Sequence, residues 1–210
     1  YKILHSEVML QQTREKSVVP YYKKFIREYP TPQALAKAPL SRVLGAWSGL
    51  GYNRRAKYLH EAAKILCSAE TSQLSVDFLQ SLPGVGRYTA RAVAVFAYNK
   101  PEVFIETNIR TVFLYFCFTN RSKSPLRRSR TPVHLSGAED FCEDVSDNDI
   151  LPLVAKALKQ SRMQPRDFYA ALMDYGAYLK KQGVKLNSTS KHYTKQRKVE
   201  VSTRQLRGQI

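Results

Sequence analysis

The nine residues Leu82-Pro83-Gly84-Val85-Gly86-Arg87-Tyr88-Thr89-Ala90 combine types that together can hold an anion. Two glycines bracket one apolar residue, between a stretch of helical texture at Ser75–Leu82 and an Ala/Val-rich run that continues to about Ala97. Gly84 and Gly86 leave backbone N–H groups uncovered by any Cβ, and the positive end of the following helix dipole points the same way. Gly84, Val85, Gly86 and Arg87 are therefore candidate contacts to a phosphate. A lone Gly-x-Gly is more often an ordinary reversal between two helices, so the surroundings must decide.

The charge balance supplies that context. The 210 residues carry 34 Lys+Arg against 17 Asp+Glu, a net charge of +17. The excess is clustered: Arg121, Lys123, Arg127, Arg128 and Arg130 crowd one stretch without an acid, and Lys180–Ile210 holds nine bases against Glu200 alone. Such a surface favours a polyanion through counterion release, nucleic acid above all. An anionic membrane is the weaker candidate, since the basic tail has no continuous apolar face. On a chain this basic, the string from Leu82 to Ala90 reads as a helix-hairpin-helix, a device that grips the DNA backbone without reading sequence.

Several classes are excluded. At 43% hydrophobic residues the chain has enough to build a core, and its length suits one domain or two small interlocked ones. No apolar run approaches the ~18–20 residues that cross a bilayer, so no membrane association is expected. The opening Tyr1-Lys2-Ile3-Leu4-His5 has no signal-type apolar stretch, so the expected location is the cytoplasm, at the nucleoid if the source is a bacterium. Cys67, Cys117 and Cys142 form no Cys-x-x-Cys and leave one over in any pairing, which argues against a disulfide scaffold or a four-cysteine metal cluster.

The elements that must position the hairpin read as short helices. Leu4, Val8 and Leu10 begin one; Pro20 opens a second through Tyr21, Tyr22, Phe25 and Ile26; Thr31-Pro32 caps a third, Ser41 a fourth and Ser75 another. Leu59, Ala62, Ala63 and Leu66 repeat at helical spacing. Residues 119–145 are polar and aperiodic, a long surface loop, and helical texture returns at 150–159 and 168–180. From Gln182 the composition is that of a basic tail. The fold class is all-α.

Four strings, in order, carry a resemblance: Ser6-Glu7-Val8-Met9-Leu10-Gln11-Gln12-Thr13, Gly49-Leu50-Gly51-Tyr52, the hairpin, and Ile105-Glu106-Thr107-Asn108-Ile109-Arg110. Together they resemble the MutY adenine-DNA glycosylases of the helix-hairpin-helix superfamily, relatives of endonuclease III. The match covers roughly residues 1–118 and returns weakly at 170–177. It implies a two-lobed fold: a six-helix barrel with the hairpin over 8–105, and a smaller helical lobe made from both chain ends, 1–7 and 106–181. The loop 119–145 and the tail 182–210 lie outside these units.

The resemblance also implies a monofunctional glycosylase of base excision repair, removing adenine mispaired with 8-oxoguanine or guanine from double-stranded DNA and working as a monomer. Releasing a purine needs an acid near the base and a carboxylate near the oxocarbenium-like sugar. Glu7 takes the first role and Glu106 the second, with Asn108 and Tyr88 shaping the pocket. Glu106 stands where the family carries Asp, and Thr107 is expected to take over the helix cap. Tyr88 replaces the lysine with which endonuclease III-type lyases form a Schiff base, so no strand cleavage is expected. Gln12 and Tyr52 match wedges into the duplex, Thr13 and Leu50 match contacts to the opposite base. Arg110, with Lys191 and Lys195 in the tail, adds candidate DNA contacts.

The chain also departs from the family. Tyr178-Leu179-Lys180-Lys181 stands where a four-cysteine run holding an iron–sulfur cluster would begin, so no cluster is expected, although the hairpin backbone could hold a monovalent cation. The domain that reads oxidised guanine is missing from these residues, and so is the Trp-Arg pair that relatives carry ahead of Tyr1. Two alternatives stay open: a glycosylase for thymine or uracil opposite guanine, since Tyr also occurs in the hairpin of thymine-mismatch enzymes, and a lesion-binding module without activity.

Overall fold

The computed structural model describes residues 1–69, 74–118 and 145–190. Within them the chain folds into ten α-helices: α1 (Lys2–Leu10), α2 (Glu15–Glu28), α3 (Pro32–Lys37), α4 (Leu40–Trp47), α5 (Arg54–Ser68), α6 (Val76–Ser81), α7 (Arg87–Tyr98), α8 (Thr107–Cys117), α9 (Asp147–Ser161) and α10 (Pro165–Lys181). A 3-10 turn, Leu186–Thr189, follows. No strand is present among the described residues, and none of their helices is long and apolar enough to cross a membrane. The fold is all-α.

Local chemistry explains the boundaries. The Thr31 hydroxyl accepts the Ala34 N–H at 3.1 Å with Pro32 at the first helical position, and Ser75 accepts from Phe78 N at 3.1 Å. Two expected starts differ. α4 begins at Leu40 behind Pro39, not at a Ser41 cap. Pro20 lies inside α2, which begins at Glu15. Both Pro20 and Lys16, whose carbonyl the missing N–H would have bonded, lie on the exposed face of α2.

Two hydrophobic cores divide the molecule. The first gathers Leu4 and Met9 of α1, Phe25, Leu35, Trp47, Leu59 and Val93. The second gathers Phe104, Ile109, Leu114, Ile150, Val154, Tyr169 and Leu179. Helix α7 is their common wall: Ala90, Val93 and Ala94 face the first core, Ala92 and Val95 the second. The opening residues pack with the first core rather than the second, to which the resemblance assigned 1–7: Leu4, Val8 and Met9 are buried in it, with Tyr1 and Ile3 against it.

The start of the supposed tail is structural. Val184 and Leu186 are buried in the second core, Asn187 Nδ2 donates to Thr111 Oγ1 at 3.1 Å, and Ser190 bridges to Val145 in parallel. Sequence reading missed this because two apolar residues in a polar run give no periodicity. Most of the loop 119–145 (residues 119–144) and the tail from residue 191 lie outside the described residues.

Candidate active site

A cleft of about 1460 Å³ opens between the two cores. Glu7, Gln12 and Tyr52 line it from the first lobe, Glu106 and Asn108 from the second, and Tyr88 from α7 between them. Residues more than eighty positions apart in sequence thus meet around one opening.

The acidic side is electrostatically unusual. Glu7, on α1, is only 9% exposed. Burial pushes its carboxyl up to about 7; the Tyr88 hydroxyl, donating to the carboxylate, works against that rise, and the charge of Glu106 adds to it. The Tyr88 phenol is itself driven well above its ordinary range, first by burial of its hydroxyl end and then by the charges of Glu7 and Glu106. Its ring is 37% exposed to the cleft, with an edge on Phe104 at 5.5 Å. A protonated carboxylic acid with a neutral phenol beside it is a proton donor at neutral pH.

Glu106 is the N-cap of α8. Its Oε1 accepts from Asn108 N at 2.6 Å and Ile109 N at 2.9 Å, and the Thr107 hydroxyl donates to Oε2 at 3.1 Å. The expectation that Thr107 would take over the cap is therefore corrected: the longer side chain folds back onto the helix from an extended backbone and caps it directly. Its charge stays at the mouth of the cleft. Asn108 Oδ1 accepts from Lys180 Nζ at 2.6 Å.

The opposite rim carries backbone strain. Gln12 and Tyr52 have φ of 54° and 50°, the left-handed region that side-chain-bearing residues avoid. Both are exposed, Tyr52 at 51%. One side chain holds both turns. Arg55, buried on α5, donates Nη1 to the carbonyls of Val8, Met9 and Gln11 at 3.2, 2.7 and 2.6 Å, and Nη2 to Thr13 Oγ1 and Gly51 O at 3.0 and 3.2 Å. Its guanidinium also lies 5.2 Å from the Tyr52 ring and 5.4 Å from Trp47. A cation over the last carbonyls of α1 is where the helix dipole favours one. Arg55 was not foreseen, yet a signal existed: it falls on the apolar stripe of Leu59 and Ala62, whereas Arg54 is exposed.

At the hairpin, Gly84 has φ of 74°, and a Cβ there would lie 2.9 Å from Tyr58 Cβ, so only glycine fits. Gly86 caps α7 without a side chain, leaving the first N–H groups of that helix open beside exposed Arg87. Gln11, also unforeseen, donates Nε2 to Gly84 O at 3.1 Å and Thr89 Oγ1 at 3.3 Å, fastening the hairpin to α1.

Three proposed contacts are buried or already paired. Leu50 and Val85 are buried in the first core; the Val85 N–H is given to Leu82 O at 3.1 Å, and Leu50 does not line the cleft. Arg110 lines the cleft, but its guanidinium is paired in bidentate fashion with Asp147 at 2.7 Å on both oxygens. Thr13 is half-buried under Arg55 and lines the cleft. Lys191 and Lys195 lie outside the described residues. Among the described residues no group of three or more His, Cys, Asp or Glu is placed to hold a metal ion.

The HhH-GPD superfamily model of base excision DNA repair proteins matches residues 5–132, more than half of the chain. The chain belongs to that superfamily. It is 40% identical over 179 residues to an adenine DNA glycosylase of Mycolicibacterium smegmatis, covering 84% of this chain and 54% of the relative. An adenine DNA glycosylase of Mycobacterium tuberculosis is 46% identical over 114 residues, which is 53% of this chain and 38% of that protein. The chain thus spans about half the length, or less, of these curated relatives. Among solved structures, a thermostable thymine-DNA glycosylase superposes with a TM-score of 0.61 at 25% identity, covering 84% of this chain and 73% of that one. As a MutY-like member of the superfamily, the chain carries the hairpin and both cleft carboxylates on one all-helical frame.

Proposed function

We propose that the chain is a monofunctional DNA glycosylase that excises adenine mispaired with 8-oxoguanine or guanine. The observation that carries this reading is the buried Glu7 carboxyl, held near neutrality beside Tyr88 in a chain 40% identical to an adenine DNA glycosylase. Protonated Glu7 delivers its proton to N7 of a flipped adenine, and the base leaves with the electron pair of the N-glycosidic bond. The sugar cation that remains faces the charge of Glu106. Ionised Glu7 then takes a proton from a water whose oxygen bonds C1′, which regenerates the acid. Tyr88 has no amine, so the abasic product stays uncleaved.

Gln12 and Tyr52 would fill the space of the flipped base, offsetting part of its few-kcal/mol unstacking cost, while the hairpin N–H groups and Arg87 hold phosphates. Glycosylase chemistry here would proceed without an iron–sulfur cluster: no cysteine occurs from Gly176 to Ile210, the stretch in which the resemblance places the first of the cluster's donors. A monovalent cation on the hairpin backbone would have to share that turn with Gln11, whose Nε2 donates to Gly84 O, and with Val85 N–H, which donates to Leu82 O. Likeness to a thymine-DNA glycosylase favours one second reading, removal of thymine or uracil opposite guanine. Single-turnover assays on duplexes bearing adenine, thymine or uracil opposite guanine and adenine opposite 8-oxoguanine separate the two. Adenine release by wild type and far slower release by Glu7→Gln is the expected result; release of pyrimidine alone would replace the substrate, and tight lesion binding with no release would leave a binding module.

A further inference from the structure

Lys180 sits one residue from the end of α10, where a lysine ordinarily turns to water or to the helix's own last carbonyls. Here it does neither. Its Nζ lies 2.6 Å from Asn108 Oδ1, across the interface between α8 and α10. An ammonium only donates, so the contact decides which end of the Asn108 amide is oxygen and leaves the NH2 group for the cleft that Asn108 lines. The backbone is built for this approach. Gly176, one turn earlier on α10, lies so close to α8 that a Cβ there would land on the carbonyl of Asn108. Glu106 holds the other end of the same residue, through the Asn108 N–H at 2.6 Å, and its charge acts on Lys180. Carboxylate, amide and ammonium therefore run as one connected row from the cleft mouth into the second lobe. Burial lowers the Lys180 pKa, Glu106 opposes that and the Arg110 charge adds to it.

We propose that Lys180 is a positioning residue for base excision: it locks the Asn108 amide with its NH2 toward the cleft. The role rests on the glycosylase reading above and deepens it. Lys180 does not line the cleft, so it acts through Asn108 and not on the sugar. The neutral amide then presents a donor to a ribose or water oxygen, in a fixed direction, at the place where the sugar cation forms.

The test compares Lys180→Met, Lys180→Arg and Asn108→Ala, singly and with Lys180→Met combined with Asn108→Ala. Two quantities are measured: the single-turnover rate on an adenine-mismatch duplex, and Kd for the same duplex with a non-hydrolysable 2′-fluoro-adenosine. Lys180→Met should slow excision about 10- to 100-fold, the scale of a ~1 Å misplacement, while Kd changes by less than about twofold. Lys180→Arg should recover most of the rate. In the Asn108→Ala background, Lys180→Met should cost less than about twofold, since its route is already cut. A Lys180→Met protein as fast as wild type, or one whose cost multiplies with that of Asn108→Ala, overturns the proposal. So does a borohydride-trapped covalent adduct that disappears with Lys180, which would make the amine a nucleophile. If melting shows that Lys180→Met does not fold, Lys180→Ala, which also removes the donor, takes its place under the same criteria. A wild-type protein that releases no adenine defeats the glycosylase reading itself; an active wild type with an indifferent Lys180 variant defeats only this inference.

Discussion

The two rims of the cleft hold their functional groups in opposite ways. On the acidic rim, Glu7 and Tyr88 sit on helices and Glu106 caps one, and the tension is electrostatic: a carboxyl displaced to about 7 by burial, with a second carboxylate near enough to raise it. On the other rim the tension is conformational, in the two left-handed backbones of Gln12 and Tyr52. Each rim has a cation behind it: Lys180 donates to the Asn108 side chain and Arg55 to backbone carbonyls. The contrast fits a division of labour. A proton donor must keep an uncomfortable pKa, and a wedge must keep an uncomfortable shape, and both need neighbours that over-determine them.

The largest expected effect breaks the acidic rim. Glu7→Gln keeps the shape and removes the proton donor, so single-turnover excision should fall by roughly 10²–10⁴-fold, within the usual range for a lost general acid. Because the substitution also removes a buried ionisable group, the melting temperature at pH 8 should hold or rise. A retained rate together with a drop in stability would make Glu7 a structural residue.

Arg55→Ala breaks the other rim. It strands the carbonyls of Val8, Met9 and Gln11 and releases both strained turns, so denaturant unfolding should show a loss of about 3 kcal/mol or more. Lys at this position, able to reach only part of that set, should recover a fraction. Stability unchanged in Arg55→Ala would mean that the two turns hold themselves.

Truncation tests where the fold ends and the basic surface begins. Ending the chain at residue 181 removes buried Val184 and Leu186, at about 2 kcal/mol each by burial alone. Ending it at residue 190 leaves them in place. The shorter deletion should leave melting unchanged and flatten the slope of log K against log salt by about three units, if roughly half of its six bases meet phosphates at ~0.9 each. Equal melting temperatures for the two truncations would refute the structural role of Val184 and Leu186.

The smallest effect sharpens the contrast. Gln12→Gly relieves a left-handed backbone and should stabilise the free protein by about 1 kcal/mol while weakening binding to a mismatch more than to matched duplex. Gain in stability without loss of discrimination would mean that the strain serves no wedge.

Much of this was legible in the sequence where the information is local. The Thr31 and Ser75 caps, the helical textures and the hairpin each lie within a few residues of what they determine, and the strings around Glu7 and Glu106 carried the two cleft carboxylates. What escaped depends on long-range geometry. Nothing local distinguishes Arg55, whose partners lie 42 to 47 positions earlier apart from Gly51, or Lys180, whose partner is 72 positions away. Leu50 and Val85 sit in strings that read as surface loops, and their burial follows only from how α4 and the hairpin fold over the first core. Glu106 was expected to cede its cap because shorter acids cap better, a preference that its extended backbone overrides.

The pH dependence of excision tests the central claim most directly. Glu7 has its folded pKa raised from 4.5 to about 7, so below 7 the folded carboxyl keeps its proton and above 7 it loses it. The folded state therefore binds more protons than the unfolded one between pH 4.5 and 7, and stability should decline with rising pH across that window, by a few kcal/mol at most. The catalytic consequence runs the same way. Measured from pH 5 to 9 under single-turnover conditions on an adenine:8-oxoguanine duplex, the wild-type rate should be high on the acid side and fall roughly tenfold per unit above about 7. A rate that is flat across that range, or a falling limb that survives unchanged in Glu7→Gln, would contradict the assignment of Glu7 as the buried acid.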